Sequence, residues 1–293
     1  MWIFLLLSGC YALTIYISTL LNYYYSLLFI TGLRCLISSI LILIIEFIYN
    51  KNCNIQIAKY KSGYFLAIIF GFVAPLTLNC LVIDKLPAAE ISVIAITQPI
   101  FIYLLAAYFF NEKLNKKQLL LLIAGTVLAF SAVIVEAGIE RISLISWQEP
   151  LAVFDALLLA IGWLSIERLV KMNESANSIT GIGLFFTGIT TMLLSTSSPI
   201  RFSRQASPLF LLLVLILIGD LFTTRIRARM SKQYSATLLS LICIFSPFIT
   251  ALNEQIFNHR QYSYKFFLII IPSLLCFIMF YYEEISVQNK NGL

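Results

Sequence analysis

Of the 293 residues, 60% are hydrophobic and only 12% charged, with a mean hydropathy of +0.92 and a formal net charge of +6. A water-soluble domain of this size carries roughly 25% charged residues, so the composition excludes one. Lys and Arg sit mostly in short connections between apolar runs, which points away from a nucleic-acid partner and towards a lipid bilayer.

A helix that crosses a membrane needs about 20 mostly apolar residues. Stretches of that kind lie near 2–22, 26–48, 63–83, 88–110, 117–137, 150–170, 176–196, 208–230, 235–257 and 266–282. The first has no basic leader and no small-residue cleavage site after it, so it is expected to be a retained span rather than a signal peptide. The expected fold is therefore an all-α integral membrane protein of ten transmembrane helices. Two five-span repeats, 1–137 and 150–293, flank a polar external connection at 138–149.

The two halves resemble each other at an offset of 148 residues. Leu86 to Lys117 aligns with Tyr234 to Lys265, bringing Ala88 onto Ala236, Ser92 onto Ser240 and Pro99 onto Pro247. Gly71 falls on Gly219. Such a pair of bundles is able to open to either side of a membrane around one shared site. With the N-terminus taken as cytoplasmic, 13 Lys and Arg residues fall in inside connections and 6 outside, Arg34 lying within the second span. The positive-inside rule then places both termini in the cytoplasm. Five spans per half make the second repeat inverted.

Site candidates follow from polar residues in apolar surroundings. Arg34 sits deep in the second span, where a charge costs roughly 2.5–3.5 kcal/mol on insertion scales. It is expected to hold a substrate carboxylate or phosphate, or else to pair with a buried acid. Gln98-Pro99 and Ser246-Pro247 are repeat-related breaks in the middle of the fourth and ninth spans. A proline there removes a backbone donor and frees a carbonyl, so this kinked pair is the expected chamber, with Gln98 and Ser246 as neutral ligands. Tyr11, Tyr103 and Trp163 are candidate aromatic walls, against the plainer reading as packing residues.

Asp220, Arg225, Arg227 and Arg229 share the cytoplasmic part of the eighth span, with Asp220 within reach of Thr223 and Thr224. An anion-attracting vestibule and arginines that snorkel to the interface both fit; snorkelling is the commoner arrangement. Asn79, which also counts among the substrate-binding candidates, is the first-half counterpart of Arg227. Glu90 and Glu254 lie near the outer ends of their spans and are candidates for proton coupling if buried. Glu112 is expected to cap or pair with Lys113, Lys116 or Lys117. One His, and six Cys without paired spacing, give no basis for a metal site, and no cofactor is expected. No phosphate-binding loop for direct ATP drive is visible.

Several strings resemble the drug/metabolite transporter superfamily, in its ten-span EamA-like branch. They are FITGLRCLISSILIL around Arg34, the run from Pro99 through Glu112 to Gly125, and AVFDALLLAIGWLSIERLVK with Asp155. The second half departs from the pattern, with Arg260 opposite Glu112 and Pro272-Ser273 in place of the usual glycine. The ending IFNHRQYSYKFFLIIIPSLL is also similar to S-adenosylmethionine carriers of obligate intracellular bacteria. The resemblance implies a secondary carrier in a bacterial inner membrane, not an enzyme, for an amino acid or an S-adenosylmethionine-like compound. A non-transporting scaffold or receptor, or a membrane-embedded enzyme, is the alternative.

Overall fold

A chain this apolar has to satisfy its backbone within each segment, and helices do that without water. The computed structural model describes residues 2–22, 25–49, 60–83, 85–110, 115–137, 147–196, 207–257 and 262–290. Ten helices among them are long and apolar enough to cross a membrane: α1 Trp2–Asn22, α2 Leu27–Tyr49, α3 Lys61–Ile83, α4 Ala88–Phe109, α5 Lys116–Glu136, α6 Gln148–Lys171, α7 Ala176–Ser195, α8 Leu209–Met230, α9 Ala236–Ile256 and α10 Tyr264–Ile285. The described residues contain no strand. The last helix continues to Lys290, past the expected end at 282, because polar residues also form helical hydrogen bonds. Glu112 and most of the 138–149 connection lie outside the described residues.

Packing follows the repeat. Helix α2 lies along α7, and α5 along α10; α3 packs on α6 as α8 packs on α1; α4 touches α6 as α9 touches α1. Repeat-equivalent helices run antiparallel. Along α2 and α7, Gly32 meets Met192, Leu36 meets Gly188 and Leu43 meets Gly181. Along α5 and α10, Ser263 bonds Glu136 (2.7 Å), Ser273 donates to the Gly125 carbonyl (2.7 Å) and Gln118 donates to Glu284 (2.9 Å). Gly125 and Ser273 are themselves 148 apart, so they face each other across the pseudo-twofold axis. The two five-helix halves are thus inverted relative to each other. Ser273, where the resemblance leads one to expect glycine, uses its hydroxyl to join the halves.

Local irregularities repeat as well. Helices α3 and α8 each contain a π-helical stretch, Ile69–Val73 and Leu215–Thr224, around Gly71 and Gly219. Helices α4 and α9 break at their prolines. In α4 the bonds tighten to i→i−3 at Ile96 and Thr97 before the helix restarts at Gln98. In α9 a 3₁₀ turn, Leu241–Cys243, precedes a restart at Ser246. Each proline then stands at the second position of a new helix, where its missing N–H has no intrahelical partner to lose.

Carboxylates cap both broken helices at their starts. Glu254 accepts from the Ala88 amide (3.0 Å), and Glu167 accepts from the Ala236 amide (2.8 Å). Between α6 and α7 the chain turns through Asn173 at φ 65, with the Glu174 amide bonded to the Leu169 carbonyl (3.1 Å). Asparagine tolerates this left-handed position better than most residues. The turn presents Glu174 to the Tyr64 hydroxyl (2.6 Å).

The closest backbone approach is between α3 and α6, where a Cβ on Gly162 would stand 2.2 Å from the Gly71 Cα. Gly162→Val should therefore destabilise the protein by about 1–3 kcal/mol or more, as overpacking does. Gly9→Ala is the control, since its Cβ would find its nearest neighbour at 3.9 Å. Thermal unfolding in detergent should show a lowered midpoint for the first variant and little change for the second.

Candidate functional site

Where α1, α2, α3, α6 and α8 converge they leave a cavity of about 130 Å³. Fourteen of its lining residues form seven repeat-equivalent pairs: Tyr11 with Leu159, Ile15 with Trp163, Gly71 with Gly219, Phe72 with Asp220, Pro75 with Thr223, Leu76 with Thr224, and Asn79 with Arg227. The cavity therefore sits on the pseudo-twofold axis, between the halves. The remaining lining residues, among them Ser18, Leu27 and Ile83, all come from the first half. They carry the cavity towards the face opposite the one where α1 begins.

Two arginines reach it, in different electrostatic settings. Arg34 is 6% exposed, and its Nε lies 3.3 Å from Asp220 Oδ2, an ion pair rather than a well-aligned hydrogen bond. Ser38 donates to the same oxygen at 2.8 Å. Asp220 thus finds its partners across on α2. Thr223 and Thr224, its expected neighbours, instead donate to the carbonyls of Ile218 (2.7 Å) and Gly219 (2.9 Å), the i−5 reach that a π-helical turn provides.

Arg227 is 4% exposed, as deep as Arg34, so Arg34 is not the one deep basic residue of the spans. Its guanidinium carbon stacks 4.0 Å from the Trp163 ring centroid. Its Nε and Nη2 have no hydrogen-bond partner among the described residues; neither do Trp163 Nε1 and Asn79 Oδ1.

The three arginines of α8 part company, contrary to a common vestibule or common snorkelling. Arg227 points inward, Arg229 is exposed, and Arg225 Nε donates to Asn177 Oδ1 (2.8 Å). Asn177 and Ser175 in turn donate to Glu46, at 2.6 and 2.5 Å. This network ties the ends of α2 and α8 to the start of α7, at the face where α1 begins.

Other expected ligands lie elsewhere. Gln98 and Ser246 are buried between α4 and α9, outside the cavity lining. Gln98 Oε1 accepts from Cys243 Sγ (3.1 Å), and the Ser246 hydroxyl donates to the Cys243 carbonyl (2.6 Å). In this structure the kinked pair does not border the cavity: the Ser246 hydroxyl and tightened turns take up freed carbonyls there, while Gln98 Nε2 has no partner among the described residues. Tyr103 is also away from the cavity, donating to Gln118 (2.9 Å) and accepting from the Asn115 amide (2.8 Å). Glu254 is buried but engaged by the Ala88 amide and the Tyr262 hydroxyl. Glu90 lies half-buried in the first turn of α4. Asp155 is one turn from Leu159 on α6 and outside the lining, with Oδ1 unpartnered among the described residues.

Sequence reasoning missed the hydroxyls of Thr14, Ser18 and Thr31 in the lining. A signal existed for Thr14, which stands opposite Gly162 in the repeat and packs on Gly219 as Gly162 packs on Gly71. Among the described residues no group of His, Cys, Asp and Glu is arranged to hold a metal.

Ten membrane-length helices in two inverted halves, with a cavity between the halves, define the architecture. The EamA-like transporter family model matches residues 1–135, the first of the two repeats. The chain is a multi-pass membrane protein with ten membrane-length helices among the described residues. A protein of known crystal structure shares the fold at TM-score 0.67 and 14% identity, with 94% of this chain and 96% of the other covered. No curated protein matches.

The Arg34–Asp220 pair makes a stability prediction. Arg34→Gln or Asp220→Asn alone leaves a buried partner uncompensated and should cost about 3–5 kcal/mol. The double variant Arg34→Leu, Asp220→Leu should recover much of that loss. Detergent unfolding curves of the three variants check this, and additive losses would contradict it.

Proposed function

We propose that this protein is a secondary carrier that moves a small polar metabolite across a bacterial inner membrane by alternating access, with both termini cytoplasmic. The observation that carries this reading is the cavity on the pseudo-twofold axis, seven of whose lining pairs exchange under the repeat. A site built from equivalent residues of inverted halves is reachable from either side when the halves exchange conformations.

The asymmetric part of the lining supports the same reading. Leu27 borders the cavity towards one face, whereas its repeat equivalent Ser175 is bonded to Glu46 at the other. One route is lined while its counterpart is tied shut, as alternating access requires. With the charge bias of the connections taken into account, the lined route leads outward and the closed face is cytoplasmic.

Amino acids are the first substrates to assay. The volume of about 130 Å³ falls below the roughly 300–1,000 Å³ of pockets that bury drug-sized ligands. An S-adenosylmethionine-like compound needs further opening.

In proteoliposomes the purified protein should accumulate at least one labelled amino acid or S-adenosylmethionine saturably above protein-free vesicles. Asn79→Leu should reduce that uptake severalfold, with protein yield and unfolding midpoint near wild type. Absence of flux for the whole panel from folded, reconstituted protein would sink the carrier reading.

Orientation has its own test. Single cysteines in a background stripped of native cysteines should react with an impermeant maleimide from outside at positions 142–146 and stay unlabelled at 52–58. The reverse pattern would overturn the assignment of the termini.

A further inference from the structure

We infer that the cavity takes a small organic anion, whose single carboxylate lies in the fork of Arg227 Nε and Nη2 against Trp163, with a hydrogen-bond donor at its other end directed to Asn79. The inference deepens the carrier reading and rests on it for the route, but not for the binding chemistry.

Charge balance comes first. Arg34 and Asp220 neutralise each other within the lining, and Ser38 donates to the same carboxylate oxygen. Arg227 makes no ion pair among the described residues and is almost fully buried. A buried guanidinium without a counter-charge is expensive in a membrane bundle. One monoanionic group removes that cost; a phosphate dianion would bring more charge than the site offsets.

Geometry then selects the group. Nε and Nη2 lie on one edge of the planar guanidinium, spaced to meet the two oxygens of a carboxylate with parallel N–H···O bonds. Stacking on Trp163 holds that plane, so less ordering remains for the ligand to impose. The indole Nε1, unpartnered as well, offers a third donor on the same wall.

The other end follows from the repeat. Asn79 is the equivalent of Arg227 across the axis and also lines the cavity, and its Oδ1 is an unpartnered acceptor. It calls for a hydroxyl, amide or ammonium N–H or O–H. Two unlike polar residues at symmetry-related positions give the site a direction, with the ligand's carboxylate towards Arg227. Asp155, one turn from Leu159 on α6, does not itself border the cavity.

Trp163 makes the binding observable. The chain has three tryptophans, and Trp2 and Trp147 are both exposed. In a Trp2→Phe, Trp147→Phe background, Trp163 fluorescence in detergent reports on the cavity. Acetate, lactate and benzoate are titrated at constant ionic strength against acetamide, lactamide and benzamide. At least one carboxylate should perturb the emission saturably, and its amide should bind at least about tenfold more weakly.

Arg227→Gln should abolish that preference and Arg227→Lys should restore little of it. Asn79→Leu should weaken lactate more than acetate. Should Arg227→Gln fail to fold, iodide quenching of Trp163 relieved by the bound carboxylate in the unsubstituted background serves as the second measurement. Equal binding of acid and amide, preference retained in Arg227→Gln, or no saturable response to any carboxylate would overturn the inference. Carboxylate binding at Trp163 without flux in proteoliposomes would remove the carrier reading alone. Flux of a neutral solute with no carboxylate response would remove this inference alone.

Discussion

A guanidinium inside a membrane bundle has only the bundle to answer its charge, since neither lipid nor bulk water is at hand. The centre of this protein is organised by two such groups. Arg34 meets Asp220 and Ser38, which ties α2 to the π-helical stretch of α8. Arg227, on the next turns of α8, lies on Trp163 of α6 and borders the cavity with its Nε and Nη2 unpartnered among the described residues. The first arrangement holds the wall together; the second leaves the cavity a polar demand that the protein does not itself meet. Both depend on the irregular stretch of α8, because a π-helical turn shifts the register of the residues that follow it.

Symmetry accounts for where the cavity lies, and departures from symmetry account for its character. The α2–α7, α4–α9 and α5–α10 contacts each join a helix to its own repeat equivalent, so all three lie on one axis with the cavity. Equivalent positions hold different residues where chemistry is concerned: Phe72 against Asp220, Asn79 against Arg227, Ile15 against Trp163. Where packing is concerned they hold small or matching ones, such as Gly71 and Gly219. The polar network of Glu46, Ser175, Asn177 and Arg225 gathers at one face only, which is how a symmetric scaffold comes to have one side tied.

The spans were legible because length and hydropathy are local properties, and a bilayer imposes both on each segment separately. The breaks at Pro99 and Pro247 were legible for a similar reason, since a proline acts on its own helix. What they border was not. A helix break frees backbone groups, and either water or packed side chains will satisfy them; here the Ser246 and Thr97 hydroxyls and tightened turns do so. Tyr103 and Glu254 read as wall and coupling residues from their types, yet each is bonded to a neighbouring helix end. A polar side chain's role follows from its partner, and a single segment does not name the partner.

By itself the sequence determined the number of helices, their approximate limits, the two-part repeat with its inversion, and the residues able to carry charge into the membrane. These rest on composition, the 148-residue offset and an odd number of spans per half, none of which requires knowing how helices pack. Tertiary structure alone decided that Asp220 answers Arg34, that Arg227 turns inward while Arg225 and Arg229 do not, and that the cavity lies among α1, α2, α3, α6 and α8 rather than between α4 and α9. The residues concerned are 48 to 186 positions apart in the chain, as Asn177 is from Arg225 and Arg34 from Asp220. Only helix rotation and crossing, set by packing, bring such residues within bonding distance.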